Sequence, residues 1–217
     1  MEIKKRELDG VSIILPHKRT PRNDECLRLF IDAIQAYTPV PYELIMDVSD
    51  KCCYRKWDEG IRKAKYDVCI LPNTDTIFAP GWITMAEYCM PNAITVMRLV
   101  ECGAIGVASC NIGQNFGQWP HEFDKQAFEA FAEEHGKTVP EVEEARKWYM
   151  PCAFDKNWYI STGGFDVNKG GFPQPLDIWF WDRVSQVPGF KFLATRAYCY
   201  HFQCLTGRDT KRIEGAV

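Results

Sequence analysis

Asn73 and Asp75 flank a single threonine, directly after the apolar run Val68-Cys69-Ile70-Leu71 and Pro72. An amide oxygen and a carboxylate oxygen two residues apart are hard donors, suited to Mg2+ or Mn2+ carrying phosphate. The same tripeptide also suits a turn in which Asn and Asp bond to nearby backbone, so both readings stay open on these residues alone. Polar side chains gather at comparable places elsewhere. His17-Lys18-Arg19-Thr20-Pro21-Arg22, Asp47-Val48-Ser49-Asp50 and the stretch from His201 to Arg208 each follow an apolar run. Open α/β sheets bind their ligands at such strand ends.

The elements that must hold these residues follow from the pattern. Val11 to Pro16 reads as a buried strand stopped by proline, and Thr20 with Pro21 opens a helix whose apolar face is Leu27, Phe30, Ile31, Ile34 and Tyr37. Tyr42 to Met46 is a second strand. Tyr54, Trp57, Ile61 and Ala64 mark a second helix, and residues 68 to 71 a third strand. Strand, helix, strand, helix, strand is the signature of a parallel sheet with covering helices. Gly81 to Val100 reads as one or two helices, Ala104 to Ala108 as a strand and Asn111 to Pro120 as an irregular loop. A Glu-rich helical insertion is expected around 121–149, with one helix carrying Phe123, Ala127 and Phe131 and another over Glu141 to Tyr149. Met150 to Phe154 reads as a strand, Lys156 to Ser161 as a short helix, Leu176 to Arg183 as an aromatic helix and Phe190 to Tyr200 as a final strand.

The 217 residues, 46% hydrophobic and 25% charged, suit a single globular domain over 1–217. A formal net charge of −3 disfavours general nucleic-acid binding. No apolar stretch is long enough to span a membrane, and Met1 to Arg6 is not followed by a signal-type apolar segment. The ten cysteines are scattered with no Cys-x-x-Cys pair, which argues against zinc knuckles and reads as reduced thiols in a cytoplasmic protein. His17, His121 and His135 read as surface or loop residues, and Trp179, Phe180 and Trp181 as core aromatics, one of which could stack on an acceptor.

The ordered set resembles glycosyltransferase family 2, whose members are nucleotide-sugar transferases of the GT-A fold. Val11 to Pro16 resembles the opening strand with its habitual proline. Leu44-Ile45-Met46-Asp47 resembles the second strand and its nucleotide-binding acid, and Trp57-Asp58-Glu59-Gly60 an Asn-x-Gly helix. Asn73-Thr74-Asp75 falls at the Asp-x-Asp position, and Gly163-Gly164-Phe165-Asp166 is similar to a Gly-Gly-Phe-Asp motif. Leu176-Asp177 to Arg183 resembles the following acidic helix, and His201 occupies a late histidine position. The sequence departs from the family at Asn73, a neutral residue in the first acid's place, at His17 in place of threonine, at Asp58 in place of asparagine, and at Leu176 and Trp179 in place of acids.

The resemblance implies a nucleotide-sugar-binding half over 11–110 and an acceptor-side half over 111–217. It implies donor contacts from Pro16, Asp47, Asn73, Thr74, Asp75, Gly163 and Gly164, and a Mn2+ or Mg2+ ion held by Asp75, His201 and Asn73. Asp177 would be the base that deprotonates a carbohydrate or other hydroxyl acceptor, with inversion at the anomeric carbon. It also suits a helix N-cap, and Asp47 a strand-end cap. Arg208, Lys211 and Arg212 would add positive charge over the departing diphosphate. Two rivals stand beside this reading: a sugar-nucleotide nucleotidyltransferase, and a non-catalytic carbohydrate- or protein-binding module on a degenerate transferase fold. The glycine-free loop at 17–22 counts against the first; Asn73 and Leu176 keep the second open.

Overall fold

The computed structural model describes residues 2–102, 111–144, 151–167 and 176–202. Nine strands form one sheet among them, in the order β2-β1-β3-β8-β5-β9-β4, with β6 added to β5 and β7 to β9. The strands are β1 (Val11–Pro16), β2 (Tyr42–Asp47), β3 (Val68–Leu71), β4 (Thr76–Phe78), β5 (Ala93–Glu101), β6 (Asn111–Gly113), β7 (Val142–Glu144), β8 (Cys152–Asp155) and β9 (Lys191–His201). Strands β1, β2, β3, β5, β6 and β9 run the same way, while β4, β7 and β8 are antiparallel to their neighbours. The mostly parallel sheet flanked by helices is therefore the architecture the sequence implied. It brings the carboxyl ends of β1, β2, β3, β5 and β9 to one edge.

Helices α1 (Pro21–Tyr37) and α2 (Cys53–Lys63) cover opposite faces of the sheet. Thr20 caps α1 by accepting from the Asn23 amide at 3.1 Å, and Pro21 occupies the first turn, where its missing N–H costs nothing. Phe30, Ala33 and Ile34 of α1 join Ile13 and Leu15 in one core. Trp57 and Ile61 of α2 join Ile14, Leu71 and Phe154 in the other. Alternation along β1 sends its side chains to the two cores in turn. At Gly60 a Cβ would stand 2.3 Å from Ile14 Cγ2, so glycine is what lets α2 lie this close to β1.

Two expectations are corrected here. Of the stretch from Gly81 to Val100, only α3 (Thr84–Glu87) is helical, and Ala93–Glu101 is strand β5, buried along its whole length. A strand buried on both faces shows no alternation, and periodicity cannot tell it from a buried helix. The β-branched Ile94, Thr95, Val96 and Val100, and Asn92 with φ 57° just before them, are the features that favour a strand. Within the expected helix at Glu141 to Tyr149, Val142–Glu144 is strand β7, antiparallel to β9 and tied to the sheet by the ion pairs Glu143–Arg98 and Glu144–Lys191. Residues 145–149 of that helix, and the strand expected at 104–108, lie outside the described residues. The loop expected from Asn111 begins instead with β6.

The other helix of the insertion forms as α4 (Lys125–Gly136), capped by Asp124 and packed through Phe128 and Ala132 beneath Tyr198 and Tyr200 of β9. Helices α5 (Lys156–Ser161) and α6 (Leu176–Val184) lie on the α2 side. Phe180 and Trp181 are buried there, while Trp179 is exposed. His121 and His135 are exposed as expected.

Candidate functional site

The loop Pro72–Asp75 leaves β3 at the common edge and is held there from both sides. The Thr74 hydroxyl donates to the Pro16 carbonyl at 3.0 Å, which ties the loop to the end of β1. The Asn73 carbonyl accepts from the Thr76 amide and hydroxyl, at 3.3 and 2.7 Å, and closes the turn. The Asp75 carbonyl accepts from the Phe202 amide at 3.0 Å, which joins the loop to the end of β9. The loop is thus both a turn and a rigid support for Asp75. Although Asp75 stands at a strand end, it is only 1% exposed.

His201 lies beside it. Its Nε2 is 3.3 Å from Asp75 Oδ2, and its Nδ1 is 2.9 Å from Glu101 Oε2. Register explains the grouping: His201 pairs with Thr76 of β4 on one side and with Glu101 of β5 on the other. Burial alone would hold the imidazole pKa down, but Asp75 and Glu101 outweigh it and raise it well above the ordinary value.

The donor set fits a hard or borderline divalent ion. Ligand atoms about 2.1 Å from an octahedral ion stand about 3 Å apart, close to the Asp75–His201 separation. An ion there would replace the Nε2 proton. Among the described residues no group of three or more His, Cys, Asp or Glu side chains forms a metal cluster. Such an ion would therefore draw its remaining ligands from neutral oxygens, those of a protein amide, of substrate or of water, as Mg2+ and Mn2+ commonly do.

Asp47 ends β2, with its carboxylate Oδ1 accepting from the Ser49 amide at 2.8 Å. The Ser49 hydroxyl and amide, then Lys56 and Lys51, hold its pKa below the ordinary carboxylate range against the opposing effect of burial. It is a strand-end cap, and it stands at the edge where the carboxyl ends of the parallel strands gather. Lys56, in the first turns of α2, is 6% exposed, and no carboxylate among the described residues lies within ion-pair distance of it. Sequence reading passed over Lys56; its only signal was a position two residues before the Asn-x-Gly-like motif.

His17 corrects an expectation. It is not a surface residue but fully buried, with Nε2 2.7 Å from Asp24 Oδ1 and its amide donating to the Asp47 carbonyl at 2.9 Å. Its neighbours alternate into the sheet faces, and Asp24 on the first turns of α1 supplies the polar partner that makes burial tolerable.

Gly163 and Gly164 both have left-handed backbones, with φ 85° and 68°. A Cβ at Gly164 would meet Asp58 Oδ1 at 2.7 Å and the Tyr159 ring at 2.8 Å, whereas Gly163 faces open space. The Tyr159 hydroxyl donates to Asp58 at 2.8 Å and accepts from the Phe165 amide at 2.9 Å. Arg62 pairs with the same carboxylate, and Arg183 donates to the Gly164 carbonyl. Asp58 accepts from Arg62 through both oxygens while also accepting from the phenol, and a neutral asparagine, with one acceptor oxygen, could not make that two-oxygen ion pair. Asp177 lies in the first turn of α6, but its side chain, like the whole of Arg208, Lys211 and Arg212, lies outside the described residues.

No model of a known protein family matches the chain, and no curated protein matches it by sequence. Solved structures do. The crystal structure of GalNAc-T7 with UDP, GalNAc and Mn2+ superposes with a TM-score of 0.62 at 12% identity, covering 89% of this chain. The matched part is 44% of that structure's own length. The chain shares the GT-A fold of that glycosyltransferase. No helix among the described residues is long and apolar enough to cross a membrane.

Proposed function

We propose that this protein is a divalent-metal-dependent glycosyltransferase that moves a sugar from a nucleotide diphosphate sugar to a hydroxyl acceptor, with inversion. The observation that carries the reading is the convergence of Asp75 and His201 at the carboxyl edge of a sheet shared with a known glycosyltransferase. Residues 11–110 form the donor half and residues 111–217 the acceptor half. Pro16 and Asp47 line the nucleotide, with Thr74 holding the loop to the Pro16 carbonyl beneath it, and Asp47 accepts from the base or ribose. Asp75 and His201, with the neutral Asn73 amide as a third donor, hold Mn2+ or Mg2+. Such an ion, when bound, supplies Lewis-acid neutralisation of the departing diphosphate. Gly163 faces open space and keeps a side chain away from the donor sugar, Gly164 seats that turn against Asp58 and Tyr159, and Arg208 adds positive charge to the leaving group.

Asp177 accepts the proton of the acceptor hydroxyl, whose oxygen then attacks the anomeric carbon as the bond to the diphosphate breaks. A base is needed for transfer but not for holding the donor. Asp177→Asn keeps shape and capping ability and loses the proton acceptor. It is expected to bind nucleotide and Mn2+ as the parent does while transfer falls by roughly 10²–10⁴-fold. The test pairs nucleotide affinity with sugar-nucleotide turnover on one sample, across a donor and acceptor panel. Unchanged transfer would remove Asp177 as the base. Loss of binding together with transfer would make it structural.

A further inference from the structure

We propose that Glu101 is a positioning residue for His201, fixing the imidazole so that Nε2 is the nitrogen presented beside Asp75. The inference rests on the metal-dependent reading above. Glu101 is the last residue of β5 and His201 the last of β9, and they are register partners on adjacent parallel strands. Their side chains therefore leave the sheet on the same face and meet, Nδ1 to Oε2, at 2.9 Å. The strand end is itself anchored, because the Glu101 carbonyl accepts from the Gln114 amide at 3.0 Å.

A carboxylate only accepts, so without an ion the nitrogens facing Glu101 and Asp75 each carry a proton, and an ion held by Asp75 would displace the one beside it. When His201 gives up one proton to become a ligand, the one retained is Nδ1–H, and the free lone pair is on Nε2. That atom is the one 3.3 Å from Asp75 Oδ2. The two ring nitrogens diverge, so Glu101 stands on the far side of the ring from such an ion and acts through the histidine. A ligating imidazole whose other N–H is held by a carboxylate is also a stronger donor. Glu101 is 3% exposed, and a carboxylate buried to this degree needs a partner that repays its desolvation. His201 is that partner.

The probe is Mn2+ alone, titrated into the full chain with free Mn2+ read by electron paramagnetic resonance. Glu101→Ala is expected to weaken Mn2+ binding by about 10–100-fold, and the isosteric Glu101→Gln by a smaller factor, because its amide oxygen can still accept from Nδ1–H. UDP affinity measured without metal stays at the parent value in both. In a His201→Ala background, neither Glu101 substitution lowers Mn2+ affinity further. Should Glu101→Ala fail to fold, Glu101→Gln and its His201→Ala double variant decide the matter. Parent-level Mn2+ affinity in folded Glu101 variants, or an equal loss with and without His201, would overturn this inference and leave the metal-dependent reading standing. A parent that binds no Mn2+, either alone or with UDP present, would overturn both.

Discussion

Asp75 answers two demands. It is nearly buried and fixed by its backbone to Phe202, yet its carboxylate stands beside His201 at the edge where a ligand would enter. Substitution therefore acts on stability as well as on metal. Asp75→Ala leaves the imidazole without this carboxylate and is expected to cost about 1–3 kcal/mol in urea denaturation, besides abolishing Mn2+-dependent nucleotide binding. Asp75→Asn keeps the shape and separates the two effects: the fold is largely retained and the metal response is lost. Asn73→Asp restores a charged donor and is expected to tighten Mn2+ binding. Unchanged Mn2+ affinity in Asn73→Asp together with normal binding in Asp75→Ala would place the ion elsewhere. Thr74 is a support, since its hydroxyl is already used on the Pro16 carbonyl. Thr74→Val is expected to cost about 1 kcal/mol of stability.

Among the elements, the turn at Gly163 and Gly164 offers a direct comparison. Both backbones are left-handed, but only Gly164 is pressed against Asp58 and Tyr159. Gly163→Ala is expected to cost only the backbone strain, about 1–2 kcal/mol. Gly164→Ala adds a steric clash and should lower the melting temperature distinctly more. Equal losses would mean that the approach of Asp58 and Tyr159 is not what requires glycine at 164. The turn was legible as a motif, but its reason was not, because Asp58 is distant in sequence from both the turn and Tyr159. Strands β1 to β3 and helices α1 and α2 were legible because each has a clean period, a cap or a proline stop. Strand β5 was hidden by being apolar on both faces, and β7 by forming only where β9 offers a partner. Glu101 went unseen for the same reason. Its role depends on β5 being a strand whose register ends opposite His201.

At the scale of the whole molecule, a net charge of −3 coexists with a basic rim on the ligand edge. Lys18 and Arg19 follow β1, and Lys51 and Arg55 bracket the start of α2, all exposed, with Arg19 and Lys51 paired to Asp24 and Glu59. A diphosphate approaching that rim is attracted in a way that salt screens. UDP affinity is expected to fall as NaCl rises from about 50 to about 500 mM, where the Debye length shrinks below the width of the site. An affinity indifferent to salt would argue that the nucleotide is held by its base alone. The likeness to a solved structure is one of fold, and the chain's own residues must supply any chemistry at this edge.

The central claim is that Asp75 and His201 make nucleotide binding depend on a divalent ion. Calorimetric titration of UDP, GDP and dTDP into the chain, with and without Mn2+, tests it most directly. We expect at least one nucleoside diphosphate to bind with a Kd between about 1 μM and about 1 mM, more tightly with Mn2+ in the parent and with no Mn2+ effect in Asp75→Asn. Absence of binding by all three, with or without Mn2+, or a Mn2+ effect that survives Asp75→Asn unchanged, would contradict it.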